Sequence, residues 1–321
     1  MRRLTLLALA MLLAKLTPGA FGQKLLKGID IGGQPGIPSS NLVTNMIYVP
    51  NSGLNTLTVI SGASGQIVAN IPTGQTPFAA STNSATNLVY VAAGTTIAVI
   101  DGGSNTVTTT IPVTLALGIA ANPTTNLVYF ISGGAQISVL NGSTNQVVGT
   151  INTGFACCIQ GIAVNSATNR IYVSERPQGG TNQLIIINGE TDKFQSFPLS
   201  GTLSVGTPVV DTKLDRVYVA DNTRGGLYVV NGSTGKIIDS VLPGYVGPIA
   251  INPSTHQIAD FEIPSGVSQL GFFDPSTFAE VGTQVDFPQD PIYMSAGANG
   301  RYYVCFAKAT SIAIVSGPLL H

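Results

Sequence analysis

The sequence predicts an all-β protein: a seven-bladed β-propeller of four-stranded antiparallel blades, with the ring closed by an N-terminal strand, 25–31, joining the last blade. Three observations carry this prediction. A nine-residue segment recurs almost unchanged, as NSATNLVYV at 83–91, NPTTNLVYF at 122–130 and NSATNRIYV at 165–173. The tyrosine of that segment marks a longer series, Tyr48, Tyr90, Tyr129, Tyr172, Tyr218 and Tyr303, with Ala259 in the equivalent place, at steps of 39 to 46 residues. Within each unit, four apolar runs alternate with turn residues, and no stretch keeps a helical period. Units of 40–45 residues with four strands each describe propeller blades. A β-solenoid is the alternative, but its repeats are usually shorter.

The first 22 residues stand outside the repeat. Arg2 and Arg3 precede the apolar run LTLLALAMLL (4–13), which is too short to span a bilayer comfortably. Ala20-Phe21-Gly22 puts small residues where a signal peptidase reads them. The expectation is a signal peptide, 1–22, and a single propeller domain, 23–321. The protein would then be periplasmic, cell-surface or secreted. A membrane anchor is the alternative, and Lys15 interrupting the apolar run argues against it.

Next comes LLKGIDI (25–31), a spare strand followed by GGQP. It matches the fourth strand and exit of unit 1, IVANIPTGQTP (67–77). The seventh unit ends after three strands, DPIYMSA (290–296), RYYVCFA (301–307) and SIAIVSG (311–317). Strand 25–31 is therefore expected to complete it and to bury Leu25, Leu26 and Ile29. Unit 2 shows the complete pattern: PFAAST (77–82), NLVYVAAG (87–94), TIAVIDG (96–102) and TVTTTIPV (106–113). Their β-branched and aromatic content favours strands. The NSATN segments read as turns between first and second strands, in which Asn and Thr side chains bond nearby backbone and hold each turn locally.

Composition narrows the function classes. Charged residues make up only 9% of the chain, against roughly 25% in ordinary soluble proteins. Without residues 1–22, which carry three bases and no acid, 11 bases and 15 acids remain. A mildly acidic chain lacks the basic footprint of a nucleic-acid binder, so no nucleic acid is expected as a partner.

With these residues in view, the sequence resembles the YVTN-repeat β-propellers, a YncE-like and lactonase-like group. The matching residues are YVPN (48–51), IVANIPTGQTP (67–77), IAVID (97–101) and YVADN (218–222). The resemblance spans the whole mature chain. It implies a seven-bladed fold in an exported or cell-surface scaffold; related propellers include lactonases and quinone-enzyme subunits. The sequence departs from the pattern at Ala259 and at FACCIQ (155–160). Quinone-dependent propellers are similar in carrying adjacent cysteines near their cofactor. This implies a vicinal disulfide between Cys157 and Cys158, the alternative being two small buried hydrophobes. Cys305 reads as a free buried thiol.

Strands alternate direction within a blade, so the turns sort onto two ends of the ring. Between residues 32 and 174 the only charged side chains are Asp101 and Arg170. Charge then returns in turns between second and third strands, with Glu175, Arg176, Asp221, Arg224, Glu262 and Lys308, and in the link holding Asp290. These residues are expected to gather around blades 4 to 7 at one end, as a pocket rim or as an ordinary solvated rim. Catalytic signals are thin. His256 lies in an NPSTH turn at the opposite end, His321 is the last residue, and neither has metal-ligand spacing. Asp101, Asp192 and Asp274 are too dispersed for a calcium cage. Neither C-x-x-C-H nor a nucleophile elbow occurs. Asn141-Gly-Ser143 and Asn231-Gly-Ser233 match glycan acceptors but are also ordinary blade turns.

The leading expectation is a monomeric, non-enzymatic scaffold without cofactor or metal, binding an extracytoplasmic protein, peptide or glycan. One alternative is a lactonase-type hydrolase with Glu175 as base and Arg224 binding the oxyanion. The other, resting on Cys157 and Cys158 alone, is an accessory subunit of a periplasmic redox enzyme.

Overall fold

A computed structural model describes residues 23–154, 159–177, 180–199, 204–222, 225–241, 247–262 and 267–318. Strand β1 (Leu25–Asp30) comes first. Blade 1 is β2 (Ser39–Asn41), β3 (Met46–Asn51), β4 (Thr56–Ser61) and β5 (Ile67–Pro72). Blade 2 is β6 (Pro77–Asn83), β7 (Leu88–Asp101) and β8 (Thr106–Ala116). Blade 3 is β9 (Ile119–Asn122), β10 (Leu127–Gly133), β11 (Gln136–Asn141) and β12 (Gln146–Asn152). Blade 4 is β13 (Ile159–Asn165), β14 (Arg170–Glu175), β15 (Gln183–Asn188) and β16 (Phe194–Pro198). Blade 5 is β17 (Val209–Asp211), β18 (Arg216–Asp221), β19 (Gly226–Asn231) and β20 (Ile237–Val241). Blade 6 is β21 (Ala250–Ile251), β22 (Ile258–Glu262), β23 (Ser268–Phe273) and β24 (Val285–Phe287). Blade 7 is β25 (Pro291–Ala296), β26 (Arg301–Phe306) and β27 (Ser311–Ser316), completed by β1.

Every blade is an antiparallel meander of four strands. Blade 2 reaches four because β7 serves as two. Its first half pairs with β6, its second half pairs with β8, and Gly94 at the join has φ +66°. First strands neighbour one another in cyclic order, and β25 meets β2 to close the circle. The fold is a seven-bladed β-propeller.

Ring closure follows the expected route. Gly28 lies opposite Ala313, and Ile29 lies opposite Ile312. Burial differs in one residue: Leu26 is 37% exposed, because it sits at the bulge between Leu25 and Lys27. Ile31 is buried instead, and its N–H donates to Thr310 O at 2.7 Å.

Second strands are buried on both faces, since each lies between two neighbouring blades. The repeat tyrosine faces the following blade: Tyr48 packs with Val89, Val91 and Ile100. The next residue faces the preceding blade: Val49 packs with Ile29, Ile312 and Ile314. Six repeat tyrosines are fully buried. They also explain a recurrent turn glycine. A Cβ on Gly102 would sit 2.8 Å from Tyr48 Oη, and one on Gly142 would sit 2.6 Å from Tyr90 Oη. Blade 6 lacks the ring at Ala259, and blade 7 supplies one to the same interface. Tyr302 is fully buried there, with its centroid 5.2 Å from that of Phe272.

Fourth strands form the outer edges, which carry few charges to deter edge-to-edge pairing. In blades 1, 2, 3 and 5 the pairing of third and fourth strands shifts register at equivalent places, after Val59, Val99, Val139 and Val229. Such bulges twist an edge away from a flat template. Among the described residues no helix is long and apolar enough to cross a membrane.

Candidate functional site

The two ends of the ring differ in chemistry. At the end holding the turns between first and second strands, the repeated asparagines form a ladder from blade to blade. Asn83 Oδ1 accepts the N–H groups of Ala85 and Thr86, capping its own turn. Its Nδ2 donates to Asn126 Oδ1 of blade 3 at 2.8 Å. Asn41 does the same to Asn87 at 2.9 Å, Asn122 to Asn169 at 2.9 Å, and Asn165 to Asp215 at 2.9 Å. The accepting residues sit in left-handed backbone, with φ of 56° at Asn87 and 55° at Asn126. Asn and Asp tolerate that conformation better than other side chains bearing a Cβ. Local capping is therefore only half of what NSATN does; its first amide also clamps the next blade.

At blade 5 the first position is Asp211, which cannot donate when ionised. Blade 6 answers with His256, whose Nδ1 lies 2.9 Å from Asp211 Oδ2. The last two junctions lack the pair, because Gly297 and Gly300 replace its members. Arg301 and Asn299 clasp blade 1 there instead, both donating to Gly62 O, at 2.8 and 2.7 Å.

The opposite end carries the predicted charged residues. Glu175 ends β14 and is fully buried. It occupies the repeat position of Asn51, whose Nδ2 donates to Ile31 O at 2.7 Å in the preceding link. Glu175 Oε1 likewise accepts from the preceding link, from Thr153 Oγ1 at 3.3 Å. Oε2 has no hydrogen-bond partner among the described residues. Burial pushes this carboxyl up to about 7, only partly offset by the Thr153 bond. Asp221 holds the same position in blade 5 and is buried, with Val205 bridged to it. Both residues face inter-blade slots.

Arg176 and Lys308 are exposed, and Lys308 lies in left-handed backbone with φ 57°. Asp290 is exposed and accepts from Ser268 Oγ at 2.6 Å. Glu262 ends β22 opposite Gln269. Its side chain, and all of Arg224, Cys157, Cys158 and His321, lie outside the described residues. Cys305 is a buried free thiol, with its pKa raised by desolvation. Asp101 and Asp274 cap their own turns, and backbone N–H groups hold both below the usual carboxylate range. Among the described residues no group of His, Cys, Asp or Glu is arranged to hold a metal ion. Asp260, which the sequence did not single out, is fully buried where other blades carry Val or Phe.

Between blades 4, 5, 6 and 7 the channel opens into a cavity of about 450 Å³. Gln160, Thr207, Asn222, Ile249, Ile292 and Tyr293 form much of its wall. A smaller chamber of about 190 Å³ shares Gln160 and Thr207 and extends to Phe78. Toward the ladder end a third space of about 250 Å³ shares Val209, Ile249 and Met294 with the first. No described lining residue of the three is charged. The side near blade 1 is narrowed by Phe78 and Tyr293, edge to face at 6.0 Å between centroids. There Ile37 N donates to Phe78 O at 2.7 Å, an approach that needs Gly36, since a Cβ would strike that carbonyl. Most of the lining comes from the entries to first strands, with Asn222 added from the turn after a second strand, and nothing in the sequence shows that these segments meet.

No protein-family model matches this chain, and no curated protein matches it. Solved structures do. A chain of Kuenenia stuttgartiensis hydrazine synthase superposes with a TM-score of 0.75 at 12% identity, covering 89% of this chain and 96% of that one. A chain of a mitotic checkpoint complex gives 0.77 at 13% identity, covering 95% of both. The Myceliophteria thermophila Cps50 (Swd1) β-propeller domain gives 0.74 at 11% identity, covering 92% and 99%. At such identities the likeness is one of fold: propellers that serve in quite different proteins share this architecture.

Proposed function

We propose that this chain is an exported, non-enzymatic scaffold of the YVTN-repeat kind that binds an extracytoplasmic protein, peptide or glycan at the blade 4–7 mouth. Removal of residues 1–22 leaves Gln23 as the first residue, and the propeller acts as a monomer. The observation that carries the reading is the mouth itself. An open cavity lies there, and Arg176, Asp290 and Lys308 are exposed in turns and a link at the same end of the ring, while Glu175 and Asp221 are buried. Gln23 fits the proposed start: it is buried, donates to Val281 O at 3.2 Å and accepts from Thr283 N at 2.6 Å.

The experiment is a peptide and glycan array probed with residues 23–321 and with Arg176→Glu and Lys308→Glu. A ligand bound by the parent and lost in both reversals supports the reading. Binding that survives both contradicts the proposed rim.

One observation favours a hydrolase as second reading. A carboxyl that titrates near 7 is suited to general-base chemistry. Against it, Glu175 is fully buried and forms no part of the cavity wall. Hydrolysis across a lactone panel that disappears in Glu175→Gln would establish the enzyme.

A further inference from the structure

We propose that the cavity between blades 4 and 7 is a binding site for an uncharged, predominantly apolar small molecule. This goes beyond the rim reading above, because such a ligand needs no macromolecular partner. Three features of the wall argue for it. First, no described lining residue is charged. A charged ligand would lose hydration there without gaining a counter-charge, which is strongly unfavourable. Second, most of the wall is aliphatic or aromatic, with Ile249, Ile292 and the Tyr293 ring. The volume of about 450 Å³ lies within the range of small-molecule pockets. Third, the polar groups present are neutral: the Thr207 hydroxyl and the Gln160 and Asn222 amides. They can orient a carbonyl or hydroxyl without demanding charge.

The chain contains no tryptophan, which makes the site directly observable. Asn222 is exposed at the mouth, so Asn222→Trp places a sole indole beside the cavity. Gln160 is exposed to the channel where the two chambers meet, so Gln160→Trp fills the space. The probes are the neutral naphthalene dye prodan and its anionic relative anilinonaphthalene sulfonate. Prodan is expected to bind saturably, once per chain, and to quench the indole of Asn222→Trp. Gln160→Trp should weaken prodan at least tenfold with an unchanged unfolding midpoint, and the anionic dye should bind at least tenfold more weakly than prodan. If Gln160→Trp does not fold, quenching in Asn222→Trp still decides. Absence of saturable quenching, equal affinity in a folded Gln160→Trp, or equal affinity of the two dyes would overturn the proposal. Array binding at the rim can survive that failure, and prodan binding can survive loss of the rim, so the two readings fail separately.

Discussion

Asn83 of blade 2 donates its side-chain Nδ2 to the side-chain Oδ1 of Asn126 in blade 3, 2.8 Å away, while its own Oδ1 caps the turn it begins. One side chain thus joins local geometry to ring assembly. The two residues lie 43 positions apart, one repeat, which is why the same letters return at that interval. A net hydrogen bond contributes about 1 kcal/mol, and burying an unmatched partner costs more. Asn83→Ala should destabilise the fold by about 2 kcal/mol in urea unfolding. A double-mutant cycle with Asn126→Ala should show coupling of about 1 kcal/mol; simple additivity would mean the clamp contributes nothing.

Asp211 and His256 replace the amide pair at one junction while keeping an acceptor opposite a donor. The exchange should be reversible as a pair. Asp211→Asn with His256→Asn recreates the arrangement of Asn83 and Asn126 and should retain stability within about 1 kcal/mol of the parent. His256→Ala alone should cost about 1–3 kcal/mol, because it leaves buried Asp211 without its partner. Denaturant midpoints of the three variants provide the check.

Tyr48 and Gly102 make the same point for packing. A methyl at residue 102 would meet Tyr48 Oη and Asn87 O, each at 2.8 Å. Gly102→Ala should therefore cost about 1–3 kcal/mol, as overpacking does, and Tyr48→Phe should relieve part of that loss. Calorimetric melting of the single and double variants measures both effects.

The fold was legible because its determinants are local and periodic. Tyrosine spacing, four apolar runs and the spare strand at 25–31 each recur within a window that can be read by eye. The partner of Asn83 was not legible in that way, since nothing inside NSATN points to the next copy. The exchange of Asn for Asp at 211 and for His at 256 held the clue, as both replacements suit one hydrogen bond. Glu175 and Asp221, expected in turns on a rim, are buried ends of second strands, a direction that their charge does not reveal. Each lies three residues after the repeat tyrosine, so each faces the same way as the residue one after it, toward the preceding blade. Gln160, Thr207, Asn222 and Tyr293 come from blades 4, 5 and 7 and become neighbours only once the ring closes.

We read the conspicuous carboxyl at 175 as held inside the scaffold rather than displayed at the binding mouth. Stability against pH, in the parent and in Glu175→Gln, tests it most directly. The Glu175 carboxyl stands near 7 in the folded protein, against 4.5 ordinarily. Its contribution to stability is therefore fully present below about 4.5 and is lost as pH rises through about 7. Denaturant unfolding from pH 4 to 9 should show the parent losing roughly 1–3 kcal/mol relative to Glu175→Gln across that interval, with the two nearly equal at pH 4. Parallel profiles, or a variant less stable than the parent at pH 8, would contradict the account.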